Sequence, residues 1–230
     1  MKSKHRPSYL CAGLVSALLL ASPGAAAAQD KQAGQARQVG QEEQEKQSGR
    51  VKRVLRFLGG GAAGLVVHEA GHIAAALALN ADPGFKRIDY GFIPFFAITS
   101  EPASRRRAYV IYSSGFHAQH LANEWLLWRG PSGPALRSTS SAFKKGWLTF
   151  NLATSAVYTA AALGRFGPPE RDTLGMARRA GDDGVAEPLI GVMILVPAAL
   201  DGVRYAYDDP AWARWTSRAV KAGLVLLAVR

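Results

Sequence analysis

Cysteine is almost absent from this chain of 230 residues, in which Cys11 is the only one. It falls within residues 1–28, which begin with basic residues, continue with an apolar stretch and end on Ala26-Ala27-Ala28. This is the pattern of a secretory signal peptide cleaved before Gln29, and an uncut signal anchor is the alternative. Cleavage would leave no thiol, which excludes disulfides and thiolate metal ligands from the mature protein.

Acidic residues are also few, 17 against 28 lysines and arginines, which gives a formal net charge of +11. Such a balance raises the possibility of nucleic-acid binding. However, no basic face interleaved with aromatic residues accompanies the cluster at Arg50, Lys52, Arg53 and Arg56. A basic cluster just before an apolar segment is typical of a helix end near lipid headgroups. We therefore expect no nucleic-acid partner.

Sizeable apolar residues are lacking between residues 29 and 50, where Val39 is the only one. Glutamine recurs there at every third position from Gln29 to Gln47, a period that drifts around an α-helix. Because so little apolar surface is available to offset the entropy of ordering, we predict a disordered Gln-rich linker. A polar helix that binds a partner is the alternative interpretation.

Long apolar segments begin at Phe57. Four are close to the roughly 20 residues that a membrane-spanning helix needs: Phe57–Leu79, Tyr109–Trp128, Trp147–Leu163 and Leu189–Tyr207. A fifth, Trp212–Val229, is interrupted by basic residues.

Tryptophans at the segment ends suit a membrane interface, and ionisable residues inside the segments would point inward. Residues 51–230 are therefore predicted to form an all-α membrane helical bundle of about four to five transmembrane helices. The protein would be a multi-pass membrane protein that enters through the secretory pathway; a soluble helical domain is the alternative.

Two stretches between the apolar segments do not have a helical pattern. Asp82-Pro83-Gly84 is a turn signal, and the β-branched and aromatic residues from Tyr90 to Ile98 predict one or two short strands. We therefore expect a small β element between the first two core helices. Residues 165–187 are rich in glycine, proline and charge, and are predicted to form a long loop.

The first apolar segment contains His68-Glu69-Ala70-Gly71-His72, an H-E-x-x-H pattern. Histidines four apart lie on one helix face, where both imidazoles can bind a single Zn²⁺. Glu69 lies beside them and can take a proton from water at the metal and later deliver it to a leaving amine. For this composition roughly 0.004 chance matches are expected, so the pattern is specific for its length.

Catalytic zinc usually has three protein ligands and one water, so a third ligand is needed. The best candidate is Asp201, which lies in the fourth segment at a depth comparable to that of His68. The alternative for Asp201 is an ion pair with Arg204 on the same helix face. Glu124, at the end of the second segment, is a rival metal ligand of the kind that a soluble zinc peptidase could use.

Three further polar residues are candidates for lining the site. His117 and His120 lie three apart on the second segment, where they could line the site, form a rival metal pair, or simply hydrogen-bond inside the bundle. Asn151, near the start of the third segment, could bind substrate backbone or join two helices.

The H-E-x-x-H inside an apolar helix, followed far downstream by Leu200-Asp201-Gly202, resembles the site-2 protease family of membrane-embedded zinc metalloproteases. The resemblance covers about Phe57 to Tyr207. It implies one zinc ion per chain, bound by His68, His72 and Asp201, with Glu69 as the general acid and base. It also implies hydrolysis of peptide bonds in membrane-spanning or membrane-anchored proteins.

Three features depart from the pattern of that family, one of them Pro197, which lies nearer to Asp201 than is usual. Met193 stands where an asparagine that is thought to hold substrate is usual, and Gly115-Phe116 replaces a common Gly-Pro. Two alternative functions follow from the sequence. One is a zinc-binding membrane scaffold of the same fold that does not cleave, and the other is a soluble exported helical zinc peptidase.

Overall fold

A computed structural model describes residues 23–90, 93–128, 142–180 and 183–229. These residues form mostly helix, with one two-stranded sheet. In chain order the elements are α1 (Pro23–Ala78), β1 (Gly84–Tyr90), β2 (Ile93–Thr99), α2 (Arg105–Leu127), α3 (Ala142–Gly164), α4 (Asp172–Ala180), α5 (Asp183–Ala206) and α6 (Ala211–Val229). The prediction of a helical chain with a small β element between the first two core helices is confirmed.

The chain divides into two compact units, Met1–Gly49 and Arg50–Arg230. Residues 29–50, predicted as a disordered linker, lie within helix α1. The physical reason is local propensity, because alanine, glutamine, glutamate, lysine and arginine are all strong helix formers and no proline follows Pro23 in this stretch. Most of the predicted signal peptide, residues 1–22, lies outside the described residues.

The two strands form an antiparallel hairpin in which Lys86 lies opposite Ala97 and Ile88 lies opposite Phe95. Side chains alternate between the faces of a strand, and directly opposed residues share a face. Lys86, Ile88 and Ala97 therefore lie on one face of the hairpin. The prediction of one or two short strands between Tyr90 and Ile98 is confirmed by β2, whereas β1 lies before that stretch and was not predicted.

Residues 165–187 are not a single long loop, because they contain helix α4 and the start of α5. Helix α4 is amphipathic and buries Leu174, Met176 and Ala177. Its first residue, Asp172, is acidic and its last turn is basic, a charge order that complements the helix dipole. This short helix matters because Asp172 enters the candidate site.

An apolar core cluster joins α2, α4 and α5. Its largest buried members are Tyr109 and Phe116 from α2, Met176 from α4, and Ile190 and Ile194 from α5. Helix α5 also packs against α3 and α6. The cluster therefore holds the short helix α4 against the centre of the helical unit.

The distribution of polarity in residues 50–229 is unusual for a protein surrounded by water. Fully buried side chains include charged and amide groups, such as Arg204, Asp201 and Asn123. Large apolar side chains such as Leu121 and Trp125 are about three-quarters exposed, 74% and 75%. Exposed apolar patches on this scale indicate an interaction surface or a membrane.

Two of the described helices are long and apolar enough to cross a membrane, Gln44–Ala78 and Ala186–Ala206. They correspond to the first and fourth apolar segments. Among the described helices, those of the second and third segments do not meet the same criterion of length and apolar composition. Length and composition therefore support two such helices instead of the four to five predicted.

Candidate metal centre

Helix α1 places His68 and His72 on one face, and α4 brings Asp172 to them. The two Nε2 atoms lie 3.1 Å apart. Asp172 Oδ2 lies 3.2 Å from His68 Nε2 and 3.4 Å from His72 Nε2. All three residues are buried, and this group could hold a metal ion.

The three distances fit a single metal ion. For ligand bonds of 2.0–2.1 Å, two ligand atoms of a tetrahedral site are separated by about 3.3 Å. The observed separations of 3.1, 3.2 and 3.4 Å form a triangle of that size. A metal could therefore bind without rearrangement of these side chains.

Hydrogen bonds to the far side of each imidazole set its orientation. His72 Nδ1 donates to the backbone oxygen of Ile111 at 2.7 Å, and His68 Nδ1 lies 3.1 Å from Gln119 Oε1, which accepts from it. Both Nδ1 atoms are thus engaged away from the site, which directs the two Nε2 atoms toward each other and toward Asp172 Oδ2. A proton or a metal ion can lie between these atoms, and an imidazole held through Nδ1 in this way is the arrangement in which histidines bind metals.

The carboxylate of Asp172 is oriented by Tyr158 of α3, whose hydroxyl donates to Oδ2 at 2.9 Å. Burial alone would raise the pKa of Asp172, but the charge and hydrogen bonds of His72 and His68 outweigh it and hold the pKa well below its ordinary value. Asp172 is therefore a carboxylate at neutral pH, which is the form that binds a cation.

The residues on either side of Asp172 are tied to one buried glutamate of α5. Arg171 forms two parallel hydrogen bonds with Glu187, of 2.7 Å and 2.9 Å, and the Thr173 hydroxyl donates to the same carboxylate at 3.0 Å. Such bidentate pairs are among the stronger side-chain contacts. Glu187 thus anchors the backbone of Asp172 from both directions.

Two glycines allow α1 and α2 to approach each other at the site. A Cβ on Gly71 would lie 2.6 Å from the backbone oxygen of Ser114. A Cβ on Gly115 would lie 2.5 Å from His72 Nε2 and 2.8 Å from His68 Nε2. Gly115 therefore leaves open the space beside the two nitrogens that would bind a metal.

Glu69, the acid of the H-E-x-x-H pattern, lines a cavity of about 260 Å³. His72 and Asp172 line the same cavity, so it reaches the candidate metal group. A group bound there would contact Glu69 and the metal ligands together.

Asp201, the predicted third ligand, lies in a different place. Asp201 Oδ2 accepts from Lys221 Nζ at 2.7 Å and from Asn123 Nδ2 at 2.8 Å, and Oδ1 accepts from Arg204 at 3.1 Å and from Ser217 at 2.8 Å. This carboxylate is fully buried and already neutralised by two cations. The acid that converges on His68 and His72 is Asp172, which corrects the assignment, and the alternative of an Asp201–Arg204 ion pair is the one observed.

Glu124, the rival ligand, belongs to the same ion-pair cluster as Asp201. It pairs with Arg204 at 2.6 Å, Lys221 at 2.7 Å and Arg218 at 3.0 Å. Its oxygens are therefore engaged by cations instead of approaching the histidines.

The remaining candidate residues also lie outside the metal group. Asn151 donates a short hydrogen bond to Asn123 Oδ1, so it joins α3 to α2. His120 is buried, and in the described part of the chain neither of its ring nitrogens has a hydrogen-bond partner; the same is true of His117 Nε2. The structure does not bring either histidine into the group formed by His68, His72 and Asp172.

Sequence reasoning missed Asp172 because it assigned residues 165–187 to a loop. A signal was present, since an acid precedes a short stretch with apolar residues at helical spacing and basic residues at its end. That signal predicts a helix but does not indicate that its first residue meets α1. Only the packing of α4 against α2 and α5 brings Asp172 to α1.

Comparison with protein-family models, curated proteins and solved structures finds no match to this chain. The geometry of the site is therefore the basis on which a function can be inferred for this chain.

Asp172→Asn and Asp201→Asn form a matched pair of substitutions, because each replaces a buried carboxylate by an amide of the same shape. We expect Asp172→Asn to weaken metal binding by more than the roughly 10–100-fold that follows loss of an outer hydrogen-bond partner. Asp201→Asn should keep the metal and lower the thermal stability. Metal analysis after dialysis against zinc and a melting curve check both outcomes; loss of metal from Asp201→Asn alone would restore the sequence-based assignment.

Gly115→Ala should exclude the metal, because the added methyl group would occupy the space beside both Nε2 atoms. Gly223→Ala on α6 is the control, since a Cβ there would meet nothing within 4 Å. Zinc titration of both purified variants measures the difference. Equal zinc affinity in Gly115→Ala and the wild type would show that the metal does not bind between these two histidines.

Proposed function

We propose that this protein is a membrane-embedded zinc metalloprotease, a hydrolase that cleaves peptide bonds of membrane-spanning or membrane-anchored proteins. The observation that carries the proposal is the convergence of His68, His72 and Asp172 on one point at the wall of a cavity that Glu69 also lines. This places metal-ligand chemistry and a candidate proton carrier around one space.

The donor set supports zinc as the metal. Two imidazole nitrogens and one carboxylate oxygen are a set that catalytic zinc sites use, with a fourth position left for water or substrate. A zinc ion bound here would polarise the substrate carbonyl and make water acidic enough to lose a proton near neutral pH. The carboxylate form of Asp172 supports binding, because it is the form that binds a cation.

Glu69 is the proposed general acid and base. It precedes His72 by three residues on the same helix and faces the cavity that His72 and Asp172 line. From there it can accept a proton from the attacking water and deliver it to the amine nitrogen when the peptide bond breaks. Tyr158 orients Asp172 and Gln119 orients His68 through their hydrogen bonds during the reaction.

Membrane location is supported by where polar and apolar side chains lie in the helical unit. Buried charged and amide groups face one another inside it, while tryptophan, leucine and valine side chains are exposed outside. Ionisable residues at membrane depth normally point into a bundle in this way. With α1 and α5 as candidate spans and a signal sequence at residues 1–28, the protein would enter the membrane through the secretory pathway.

Glu69→Gln should keep zinc and lower peptide cleavage by roughly 10²–10⁴-fold, because the amide cannot accept the proton from water. The assay compares cleavage of a panel of internally quenched peptides by detergent-solubilised variants loaded with zinc. Glu101→Gln is the control, since Glu101 is exposed and lies outside the cavity. Cleavage by Glu69→Gln at the wild-type rate would remove Glu69 from the mechanism.

Carbonate extraction of membranes from cells that express the protein tests the membrane location. We expect the chain to remain in the pellet, because high pH releases proteins that are held to membranes by charge but not those inserted into the apolar interior. Release into the supernatant would instead support the soluble peptidase.

A further inference from the structure

The cavity beside Glu69 has apolar walls from three parts of the chain. The hairpin, helix α3 and the connection to α4 contribute these side chains: Ile88, Ala97, Ile98, Val157, Ala161 and Phe166. At one end lie Glu69, His72 and Asp172, so the walls continue directly from the candidate metal group.

Arg171, the cation that lines this cavity, already has a partner. It forms its bidentate pair with Glu187, while Glu170 Oε1 accepts from Lys86 Nζ at 2.8 Å. The hydrogen bond from Lys86 lowers the pKa of Glu170, which keeps this carboxylate charged. An acidic side chain that entered the cavity would therefore lose water beside the carboxylates of Glu69 and Glu170 without gaining a partner, which is costly.

The size of the cavity limits what it can hold. At about 260 Å³ it lies just below the roughly 300–1,000 Å³ of pockets that enclose drug-sized ligands. Val157 and Phe166 are 63% and 51% exposed and form its rim, whereas Ala161 is only 6% exposed and forms part of its floor. The dimensions suit one side chain, with the rest of a substrate chain lying outside.

We propose that this cavity binds one uncharged apolar side chain of the substrate, aliphatic or aromatic, next to the bond that is cleaved. The inference rests on the proposed function, because the metal group defines where that bond lies. Ala161 and Ala97 are the specificity-determining residues. Ala161 lies on α3 and Ala97 on the hairpin, so they border the cavity from two different elements, and a larger side chain at either position would fill the space.

Binding of three hydroxamates to the zinc-loaded protein tests the inference without any need for turnover. Hydroxamates chelate zinc, so the three probes share the anchoring group and differ only in what they extend into the cavity. Acetohydroxamate has a methyl group, 4-methylpentanohydroxamate has a branched apolar chain, and succinomonohydroxamate has a carboxylate. Isothermal titration calorimetry of each probe into the detergent-solubilised, zinc-loaded full chain gives the three dissociation constants.

We expect the branched apolar probe to bind roughly 10- to 100-fold more tightly than acetohydroxamate, as for burial of one leucine-sized side chain. The carboxylate probe should bind no more tightly than acetohydroxamate. Ala161→Leu and Ala97→Leu should each remove most of the apolar advantage. Ala160→Leu is the matched control, because Ala160 is the exposed neighbour of Ala161 on the same helix and should leave the advantage unchanged.

Three results would overturn the inference. They are equal affinity for all three probes, tighter binding of the carboxylate probe, or an advantage of the apolar probe that is retained in both Ala161→Leu and Ala97→Leu. If one of these results is obtained while the wild type still binds the probes in a zinc-dependent way and His72→Ala does not, the proposed metal site is still supported. If none of the three hydroxamates binds the zinc-loaded wild type, the metal site itself is absent and both proposals fall.

Discussion

The structure of the site depends on two buried imidazole nitrogens that face each other. His72 Nδ1 donates to a backbone carbonyl and His68 Nδ1 donates to Gln119, so both Nε2 atoms point into one buried space 3.1 Å apart. A proton or a metal ion must lie between them, because buried acceptors without a partner are costly. The surrounding features, from the glycine in α2 to the anchored start of α4, keep that space open and bring a carboxylate to it.

The helical unit has two buried polar clusters that differ in composition. In one, two ring nitrogens and a carboxylate oxygen from His68, His72 and Asp172 lie around one space. In the other, the carboxylates of Asp201 and Glu124 already pair with Lys221 and two arginines. A cluster that already contains its own cations has no place for a metal. Asp201 is therefore engaged where it lies, whereas Asp172 is the acid that meets the histidines.

The same clusters explain how a helical unit with an apolar exterior remains specific in its packing. Dispersion between apolar helices fixes few orientations, but buried hydrogen bonds such as those between Asn123, Asn151 and Trp147 join α2 to α3. The ion pairs of Arg204 and Lys221 join α2, α5 and α6 in a similar way. The buried polar contacts and the exposed apolar side chains together support the membrane proposal.

The sequence by itself determined those features that depend on neighbours along the chain. A spacing of four residues places His68 and His72 on one helix face, and the turn signal at Asp82-Pro83-Gly84 separates helix α1 from the first strand, because both are local geometry. Helical propensity also determines the structure of residues 29–50, although their lack of apolar residues predicts a disordered linker. The third ligand was decided by the tertiary structure alone. Asp172, Asp201 and Glu124 are all acids near apolar stretches, and only the packing of α4 between α2 and α5 determines which one reaches the histidines.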